Sequence, residues 1–149
     1  MKTKIIKQPK NTGSFTFAII KPRAVQKGFI VPILQKINES GFRISAMKLI
    51  HLTLIQAQNF YIIHKDKPFY TDLVHFMASG RIVVMILEKS NAVEEFRKLI
   101  GNTDPTKAES GTIRNLFAES TQANAIHGSD SDENAEREAN FFFSQCERY

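Results

Sequence analysis

The sequence has few of the features that mark secreted or membrane proteins. Among its 149 residues there is one cysteine, Cys146, and no tryptophan. A lone cysteine cannot form an intramolecular disulfide, which excludes a disulfide-stapled secreted scaffold and favours a reducing compartment, the cytoplasm. The apolar run Ile82–Leu87 has six residues, and a membrane-spanning helix needs roughly 20. The N-terminal segment is basic without an apolar core, so we expect neither a secretory signal nor a membrane partner.

The residues that are present describe a basic chain with enough apolar side chains to fold. Hydrophobic residues make up 42% of the chain and charged residues 23%, which predicts a packed core. The net charge is +5, but the residues after Gly128 contain six acids and two bases, so residues 1–127 carry +9. A basic body favours a polyanionic ligand, either a nucleotide or a nucleic acid. We expect a basic tail over residues 1–13 and one domain over residues 14–149.

Hydrophobic periodicity predicts an α+β fold. Alternating β-branched and aromatic residues predict strands, and apolar residues three or four apart predict helices. The predicted strands are Ser14–Ile20, Phe42–Leu52, Ile82–Leu87 and Ala123–His127. The predicted helices lie near residues 30–40 and at Leu54–His64, Phe69–Ser79, Asn91–Ile100, Thr112–Ala118 and Asp130–Phe143, the last one capped by Asp130. This order of elements indicates one sheet with helices packed against it.

Basic side chains follow or precede several of these elements. Lys21 follows the first strand, and Arg97 and Arg114 flank a polar, glycine-bounded loop from Gly101 to Gly111. Ordered loops of this length are often functional, and lysine and arginine are the side chains that bind polyphosphate oxygens. The chain has no P-loop, no Gly-x-Gly-x-x-Gly and no protein-kinase signature, so a phosphate site here must be of another kind.

His127 differs from the other three histidines in its setting. It ends a short apolar strand and precedes a glycine that permits close ligand approach, whereas the others lie inside periodic segments and are interpreted as surface or packing residues. No second histidine or cysteine lies at ligand spacing, which argues against a metal site. On the last helix, Glu138 shares a face with Ala135 and Phe142. A carboxylate on that face is either paired, for which an imidazole N–H is suitable, or at a partly exposed helix edge.

Five short motifs together resemble the nucleoside diphosphate kinase family. They are Ile20-Lys21-Pro22, Val25-Gln26, Lys67-Pro68-Phe69, Gly111-Thr112-Ile113-Arg114 and Asn124-Ala125-Ile126-His127-Gly128-Ser129-Asp130-Ser131. The resemblance covers about residues 14–145, and the motif around His127 is very specific. It implies a ferredoxin-like α+β sandwich with an antiparallel sheet, assembly into hexamers or tetramers, and Mg²⁺ carried by the nucleotide phosphates with no metal ligand in the protein.

The resemblance also implies roles for the matching positions. His127 is expected to be the phosphorylated nucleophile in a ping-pong transfer from a nucleoside triphosphate to a nucleoside diphosphate. Ser129 and Glu138 are expected beside the imidazole, with Glu138 fixing its orientation, and Phe69 is expected to stack on the base. The positions expected to hold phosphates and sugar hydroxyls are Lys21, Tyr61, Arg97, Thr103, Arg114 and Asn124. Lys21 is also expected to take part in catalysis.

Four positions depart from the family pattern. Arg23 stands where an aspartate is usual, Arg81 and Ser110 where prolines are frequent, and Thr121 where an apolar residue often lies against the base. None of them replaces the nucleophile or a phosphate-binding base, so an active enzyme is expected. Changes in local pairing, magnesium positioning, loop order or assembly are the expected consequences.

Two other functions are compatible with parts of the sequence. The basic body and lysine-rich tail suit a nucleic-acid-binding or regulatory oligomer with incidental kinase activity, although no helix-turn-helix, zinc finger or RNA-binding signature occurs. A phosphocarrier that passes a phosphoryl group to protein partners would share the histidine but would not need the nucleotide-holding residues.

Overall fold

The computed structural model describes residues 13–149, and the predicted basic tail lies almost wholly outside them. In this range four strands form one antiparallel sheet in the order β2-β3-β1-β4. The strands are β1 (Phe15–Ile20), β2 (Arg43–His51), β3 (Arg81–Glu88) and β4 (Ile126–Gly128). The helices are α1 (Pro22–Gln26), α2 (Ile30–Glu39), α3 (Leu54–Phe60), α4 (Tyr70–Met77), α5 (Ala92–Ile100), α6 (Ile113–Phe117) and α7 (Asp132–Phe142). The predicted α+β sandwich with an antiparallel sheet is confirmed.

Helices cover both faces of the sheet. On the inner strand β1, Phe17 and Ile19 pack towards α3, α4 and α7, whereas Ala18 and Ile20 pack towards α2 and α5. All four side chains are fully buried. Burial on both faces explains why β1 and β3 are apolar almost throughout rather than alternating with polar residues.

The edge strand β2 departs from the alternation that its sequence predicts. Phe42, Ile44 and Ala46 are expected on one face, but the pairing of β2 with β3 shifts between Ile44 and Ala46. This bulge places Ser45 as an extra residue, so that Ser45 and Ala46 are both buried and Ile44 is exposed. The strand prediction is confirmed, but the predicted face is wrong at Ile44.

Three other element boundaries differ from the sequence prediction. The short helix α1 directly after Lys21 is unpredicted, because a proline at the first helical position was interpreted only as the end of a strand. The helix predicted over Leu54–His64 ends at Phe60 and continues as a separate 3₁₀ turn, Ile62–His64. The strand predicted from Ala123 begins only at Ile126, because Ala125 has φ of 73° and interrupts an extended backbone.

Gly128 is required for packing against α5. A Cβ atom on Gly128 would lie 2.9 Å from Cδ1 of Phe96 and 3.2 Å from Cδ1 of Ile100. The sequence interpretation, in which this glycine permits close approach of a ligand, is therefore incomplete, since the closest neighbours are core side chains. Strand β4 can lie this near to α5 only without a side chain at this position.

No helix formed by residues 13–149 is both long enough and apolar enough to cross a membrane.

Candidate active site around His127

His127 lies on the edge strand β4, where it pairs with Ile19 of β1. Its side chain is 22% exposed. The rings of Phe17 and Phe60 lie on it with centroids 6.2 Å from the imidazole centroid, at interplanar angles of 59° and 78°. The centroids of these two rings lie 6.0 Å from each other, so both rings pack together against one side of the imidazole.

Glu138, on helix α7, forms a hydrogen bond with His127. This helix is capped by the side chain of Ser131, which accepts a hydrogen bond from the backbone N–H of Asn134. The sequence prediction of Asp130 as the cap is wrong: Asp130 instead accepts a hydrogen bond of 2.5 Å from the side chain of Asn134. Two turns along the helix, the buried Glu138 Oε2 lies 2.7 Å from His127 Nε2.

Ser129 fixes the second oxygen of the Glu138 carboxylate. Its Oγ donates to Glu138 Oε1 at 2.6 Å and accepts from the backbone N–H of Phe17 at 3.2 Å. The backbone N–H of Ser129 donates to the carbonyl of Phe17 at 3.1 Å. Because a carboxylate can only accept, the proton shared with His127 belongs on Nε2, and Nδ1 keeps its lone pair.

A cavity of about 200 Å³ opens beside this pair. Its walls come from α3 and the following turn, α5, the loop after α5, α6, β4 and α7. Among the predicted site residues, the lining includes Tyr61, Arg97, Thr103, Arg114, His127 and Glu138. Six of the ten predicted residues are therefore brought together on one cavity.

Arg114 and Lys21 are buried cations in the same region. Arg114 donates from Nη1 to the carbonyl of Gly101 at 3.0 Å and from Nη2 to the carbonyl of Ile126 at 2.9 Å, which ties the loop to β4. Burial and the neighbouring Arg97 lower the pKa of Arg114 to about 10. Burial, with the charge of Arg114, lowers the pKa of Lys21 to about 7. A polyanion at this site would reverse these effects.

Several buried polar atoms near the cavity lack a hydrogen-bond partner within the described part of the chain. They include the hydroxyl of Tyr61, Nε of Arg114 and Oδ1 of Asn124. The Nδ2 group of Asn124 is engaged with the carbonyl of Thr121 at 2.9 Å. Buried polar atoms are normally paired, so their concentration here indicates a surface completed by a polar ligand.

The other four predicted residues do not line the cavity. Ser129 lies behind Glu138, and Lys21 and Asn124 are buried. Phe69 is 50% exposed, and its ring centroid lies 5.7 Å from that of His64. His64 lines the cavity, so Phe69 lies just outside the cavity, next to His64.

Few possible metal ligands line the cavity among the residues that the structure describes. Residues 13–149 contain no group of three or more histidine, cysteine, aspartate or glutamate side chains arranged to hold a metal ion. Two carboxylates line the cavity, Glu138 and Asp130, and Glu138 is bonded to His127 and Ser129. A divalent cation would therefore need most of its oxygen ligands from a bound ligand.

One protein-family model matches nearly all of the described residues. The family model described as nucleoside diphosphate kinase matches residues 14–148. The chain belongs to the nucleoside diphosphate kinase family. A nucleoside diphosphate kinase of Prosthecochloris aestuarii is 57% identical over 129 residues, covering 87% of this chain and 92% of the relative. Nucleoside diphosphate kinase 1 of Protochlamydia amoebophila is 54% identical over 132 residues, covering 89% of this chain and 94% of the relative.

Solved nucleoside diphosphate kinase structures share the fold. The enzyme of Aquifex aeolicus is 39% identical with a TM-score of 0.89, covering 91% of this chain and 99% of that one. The enzyme of Halobacterium salinarum, solved in complex with CDP, is 34% identical with a TM-score of 0.87, covering 92% of this chain and 91% of that one. The predicted family and enzyme class are confirmed: this nucleoside diphosphate kinase family member is a transferase of nucleotide phosphate.

Some residues that line the cavity of this family member are not among the ten predicted site residues. They are Phe60, Ile63, His64, Gly128, Asp130, Asn134 and Arg137. Helical spacing offers a signal for Asn134, which precedes Glu138 by four residues on α7. His64 was interpreted as a surface or packing residue, but its ring lies 6.4 Å from that of Tyr61. The 3₁₀ turn after Tyr61 brings these two rings together. The continuous helix that the sequence predicts over these residues does not indicate this contact.

Two of the departures from the family pattern lie together, away from the His127 cavity. Arg23 and Arg81 line a separate cavity beside α1. Ser110 and Thr121 are exposed loop residues. Arg23 replaces the usual aspartate without an unpaired charge, because its Nε donates to Glu119 Oε2 at 3.1 Å.

Proposed function

We propose that this chain transfers the terminal phosphoryl group of a nucleoside triphosphate to a nucleoside diphosphate through a phosphohistidine on His127. The observation that carries the proposal is the 2.7 Å contact between His127 Nε2 and Glu138 Oε2. Because the carboxylate accepts the Nε2 proton, Nδ1 is the nitrogen with a free lone pair. A fixed tautomer presented to a basic cavity is what a nitrogen nucleophile requires.

The reaction divides into two half-reactions at the same imidazole. In the first, the Nδ1 lone pair forms a bond to the terminal phosphorus, and the bond to the bridging oxygen breaks, so that the diphosphate leaves with that electron pair. In the second, a terminal oxygen of another nucleoside diphosphate forms the new P–O bond, and the N–P bond returns its electrons to Nδ1. Glu138 offsets the positive charge that the imidazole gains while phosphorylated.

The charge of the transferring group would be offset by Lys21, Arg97 and Arg114. Phosphoryl transfer depends mainly on positioning and electrostatic stabilisation. Lys21 is buried and its pKa is lowered to about 7. This supports a role in which bound phosphates form ion pairs with its ammonium group. Arg114 supports the same role, because its Nε has no partner among residues 13–149.

The neutral polar side chains would hold the rest of the nucleotide. The unpartnered hydroxyl of Tyr61 and Oδ1 of Asn124 are suited to a phosphate oxygen and a sugar hydroxyl, respectively. Thr103 is exposed on the cavity wall, where its hydroxyl can reach a phosphate. The half-exposed ring of Phe69, next to His64, would stack on the base. Stacking without base-edge hydrogen bonds tolerates every base, since each has a π-face.

Magnesium would arrive with the nucleotide. The oxygen ligands available in the cavity are the nucleotide phosphates and the carboxylate of Asp130, since Glu138 is engaged with His127. This set fits Mg²⁺, which usually binds through substrate phosphates and one or two carboxylates. When bound, the ion supplies charge neutralisation on the phosphates.

We also propose that the protein forms a homo-oligomer, either a hexamer or a tetramer. Each subunit has one domain over residues 14–149, and the protein functions in the cytoplasm. The edge strand β2 exposes Met47 and Leu49 by 50% and 53%, and Val31 of α2 is 71% exposed. Exposed large apolar side chains on an edge strand support association with a second copy. The exposed free thiol of Cys146 supports a reducing compartment. The nucleic-acid alternative depends on the lysine-rich tail, which lies outside the described residues.

The direct test is labelling with [γ-³²P]ATP and magnesium. We expect label on the wild-type protein that is acid-labile and base-stable, and loss of all label in His127→Ala. His75→Ala, which removes an exposed histidine on α4, is the matched control and should label normally. Adding a nucleoside diphosphate should remove the label as the triphosphate. Normal turnover by His127→Ala would contradict the proposal, and label that no nucleoside diphosphate accepts would favour a phosphocarrier.

A further inference from the structure

A second cavity lies beside α1 and shares no lining residue with the cavity at His127. Its volume is about 230 Å³. It is formed by α1, the end of α4 and the start of β3, with Pro22, Arg23, Val25, Phe76, Ser79 and Arg81 among its walls. The walls thus include two arginines, a serine and apolar residues, and none of the lining residues in the described part of the chain carries a carboxylate.

Arg23 is held in place but retains unused donors. Its Nε donates to Glu119 at 3.1 Å, and its Nη1 donates to Gln26 Oε1 at 3.0 Å. Within residues 13–149, Nη2 makes no hydrogen bond. Glu119 is also paired with Lys27, so its charge is already balanced. The guanidinium of Arg23 is therefore oriented by its neighbours while part of its fork stays free to bind an anion.

Arg81 brings a second cation to the same cavity. In the described part of the chain it has no acidic partner. The residues around the cavity thus carry a net positive charge, because its lining includes two arginines and the nearby Glu119 is shared between Arg23 and Lys27. Both arginines are departures from the family pattern, so a site made from them is a property of this chain.

We propose that this cavity binds a phosphate-type oxyanion, either free phosphate or the phosphate of a small phosphorylated molecule. Arginine forks match the oxygen geometry of phosphate. The volume is below the roughly 300 Å³ at which pockets for larger ligands begin, which suits phosphate with at most a short organic group. Phe76 and Val25 provide an apolar wall for such a group. The proposal is independent of the phosphohistidine and does not require any change at His127.

The test measures phosphate binding while the His127 cavity is blocked. The protein is first saturated with Mg-ADP, and its occupancy is checked by amide shifts at Arg97 and Gly128. Inorganic phosphate is then titrated, with the amide of Gly80 as the reporter of the second cavity. We expect saturable shifts at Gly80. Arg81→Gln should raise the apparent Kd about tenfold or more, as expected for loss of a hydrogen-bonded charge. Lys36→Gln on α2 removes the same charge elsewhere and should leave the Kd unchanged.

The two sources of phosphate are distinguished by a second titration with glycerol 3-phosphate. Tighter binding than inorganic phosphate would assign the site to an organic phosphate that uses the apolar wall, and equal or weaker binding would assign it to the free ion. Absence of shifts at Gly80 under the ADP block, or an unchanged Kd in Arg81→Gln, would overturn the proposal. A change in oligomeric state in Arg81→Gln without phosphate binding would overturn it as well, since the arginine would then serve a subunit contact.

Discussion

Two groups of polar side chains at the His127 cavity, a histidine end around His127 and Glu138 and a phosphate end around Arg114 and Lys21, are completed to different degrees by the protein itself. At the histidine end, the protein itself supplies a chain of hydrogen bonds that leaves Nδ1 of His127 free: His127 Nε2 bonds to Glu138, Glu138 to Ser129, and Ser129 to the backbone of Phe17. At the phosphate end, Nε of Arg114 has no partner in residues 13–149, and Lys21 is buried near Arg114 with a lowered pKa. The histidine end is organised in advance, whereas the phosphate end keeps an unpaired polar atom and a buried amine.

This difference fits the roles that we propose for the two ends. A nucleophile must keep one tautomer and one orientation before the substrate arrives, so its hydrogen bonds come from the protein. A phosphate-binding surface must leave its hydrogen-bond donors unpaired until the phosphate binds. Donors already paired within the protein would gain little free energy from a new partner. The unsatisfied donors at the phosphate end are a cost to the free protein that nucleotide binding would remove.

The largest effect on this comparison is expected from Glu138→Gln. Replacing the carboxylate removes a charge-assisted hydrogen bond, worth roughly 1.5–3 kcal/mol, from the histidine end. We expect the rate of His127 phosphorylation to fall about 10- to 100-fold with little change in nucleotide affinity. Rapid-quench labelling and a separate measurement of the ADP dissociation constant distinguish the two quantities.

Glu136→Gln is the matched control for Glu138→Gln. Glu136 is exposed on the same helix α7, and its loss should leave the labelling rate unchanged. A rate within about twofold of wild type in Glu138→Gln, well under 1 kcal/mol of barrier, would show that the histidine end does not depend on its carboxylate.

The phosphate end can be tested by measuring the protons that Lys21 takes up when ADP binds. Burial and the charge of Arg114 lower the pKa of Lys21 to about 7, so at pH 8 most of the free protein carries the neutral amine. A bound polyphosphate favours the ammonium form, and we expect ADP binding at pH 8 to take up nearly one proton. Calorimetry in two buffers of different ionisation enthalpy measures this uptake. Lys21→Met should abolish it, and Lys36→Gln should not.

The same pKa sets the sign of the stability effect. The pKa of an unfolded lysine is about 10.4, so between about pH 7 and that value the unfolded state binds the additional proton. The contribution of Lys21 to the free energy of unfolding therefore rises with pH in this window, and its destabilising effect is complete below pH 7. Equal proton uptake in both lysine variants would show that the phosphate end is not organised around Lys21.

The smallest effect is expected from Ser110→Pro in the loop between Arg97 and Arg114. Ser110 is exposed, and its N–H has no acceptor within residues 13–149. Proline restricts the unfolded chain, so we expect stabilisation of roughly 0.4–1 kcal/mol with turnover nearly unchanged. Thermal unfolding is measured at a fixed oligomeric state, checked by sedimentation, with Ser110→Ala as the control. A lower midpoint in Ser110→Pro would indicate backbone angles that exclude proline.

The sequence was sufficient for the parts of the fold that depend on periodicity. The four strands were predicted from alternation and β-branching, and spacing alone placed Ala135, Glu138 and Ala139 on one helix face, which the structure buries; whether Glu138 was paired or at a partly exposed edge was left open. The single bulge at Ser45 was not predictable in this way, because it depends on how β2 pairs with β3. Local cap signals were ambiguous for a similar reason: Asp130 and Ser131 are both good caps, and only the backbone geometry selects Ser131.

The candidate site was less accessible to sequence reasoning than the fold. The positions of Lys21, Arg97 and Arg114 indicated a phosphate site, but their convergence depends on strand order, which no local pattern encodes. The family resemblance supplied Tyr61, Thr103 and Asn124, whose spacing alone carries no chemical signal. His64 and Arg137 were missed because a histidine before a turn and an arginine on a charged helix are usual surface residues.

The most direct test of the organised histidine end is the nitrogen that carries the phosphoryl group. Phosphoenzyme prepared from ATP with ¹⁵N-histidine-labelled protein is examined by long-range ¹H–¹⁵N and ³¹P NMR. The geometry predicts phosphorus coupled to Nδ1 of His127 and a proton retained on Nε2, with the Glu138 hydrogen bond intact. Phosphorus on Nε2, or a phosphoryl group on another residue, would contradict the organisation described for this site.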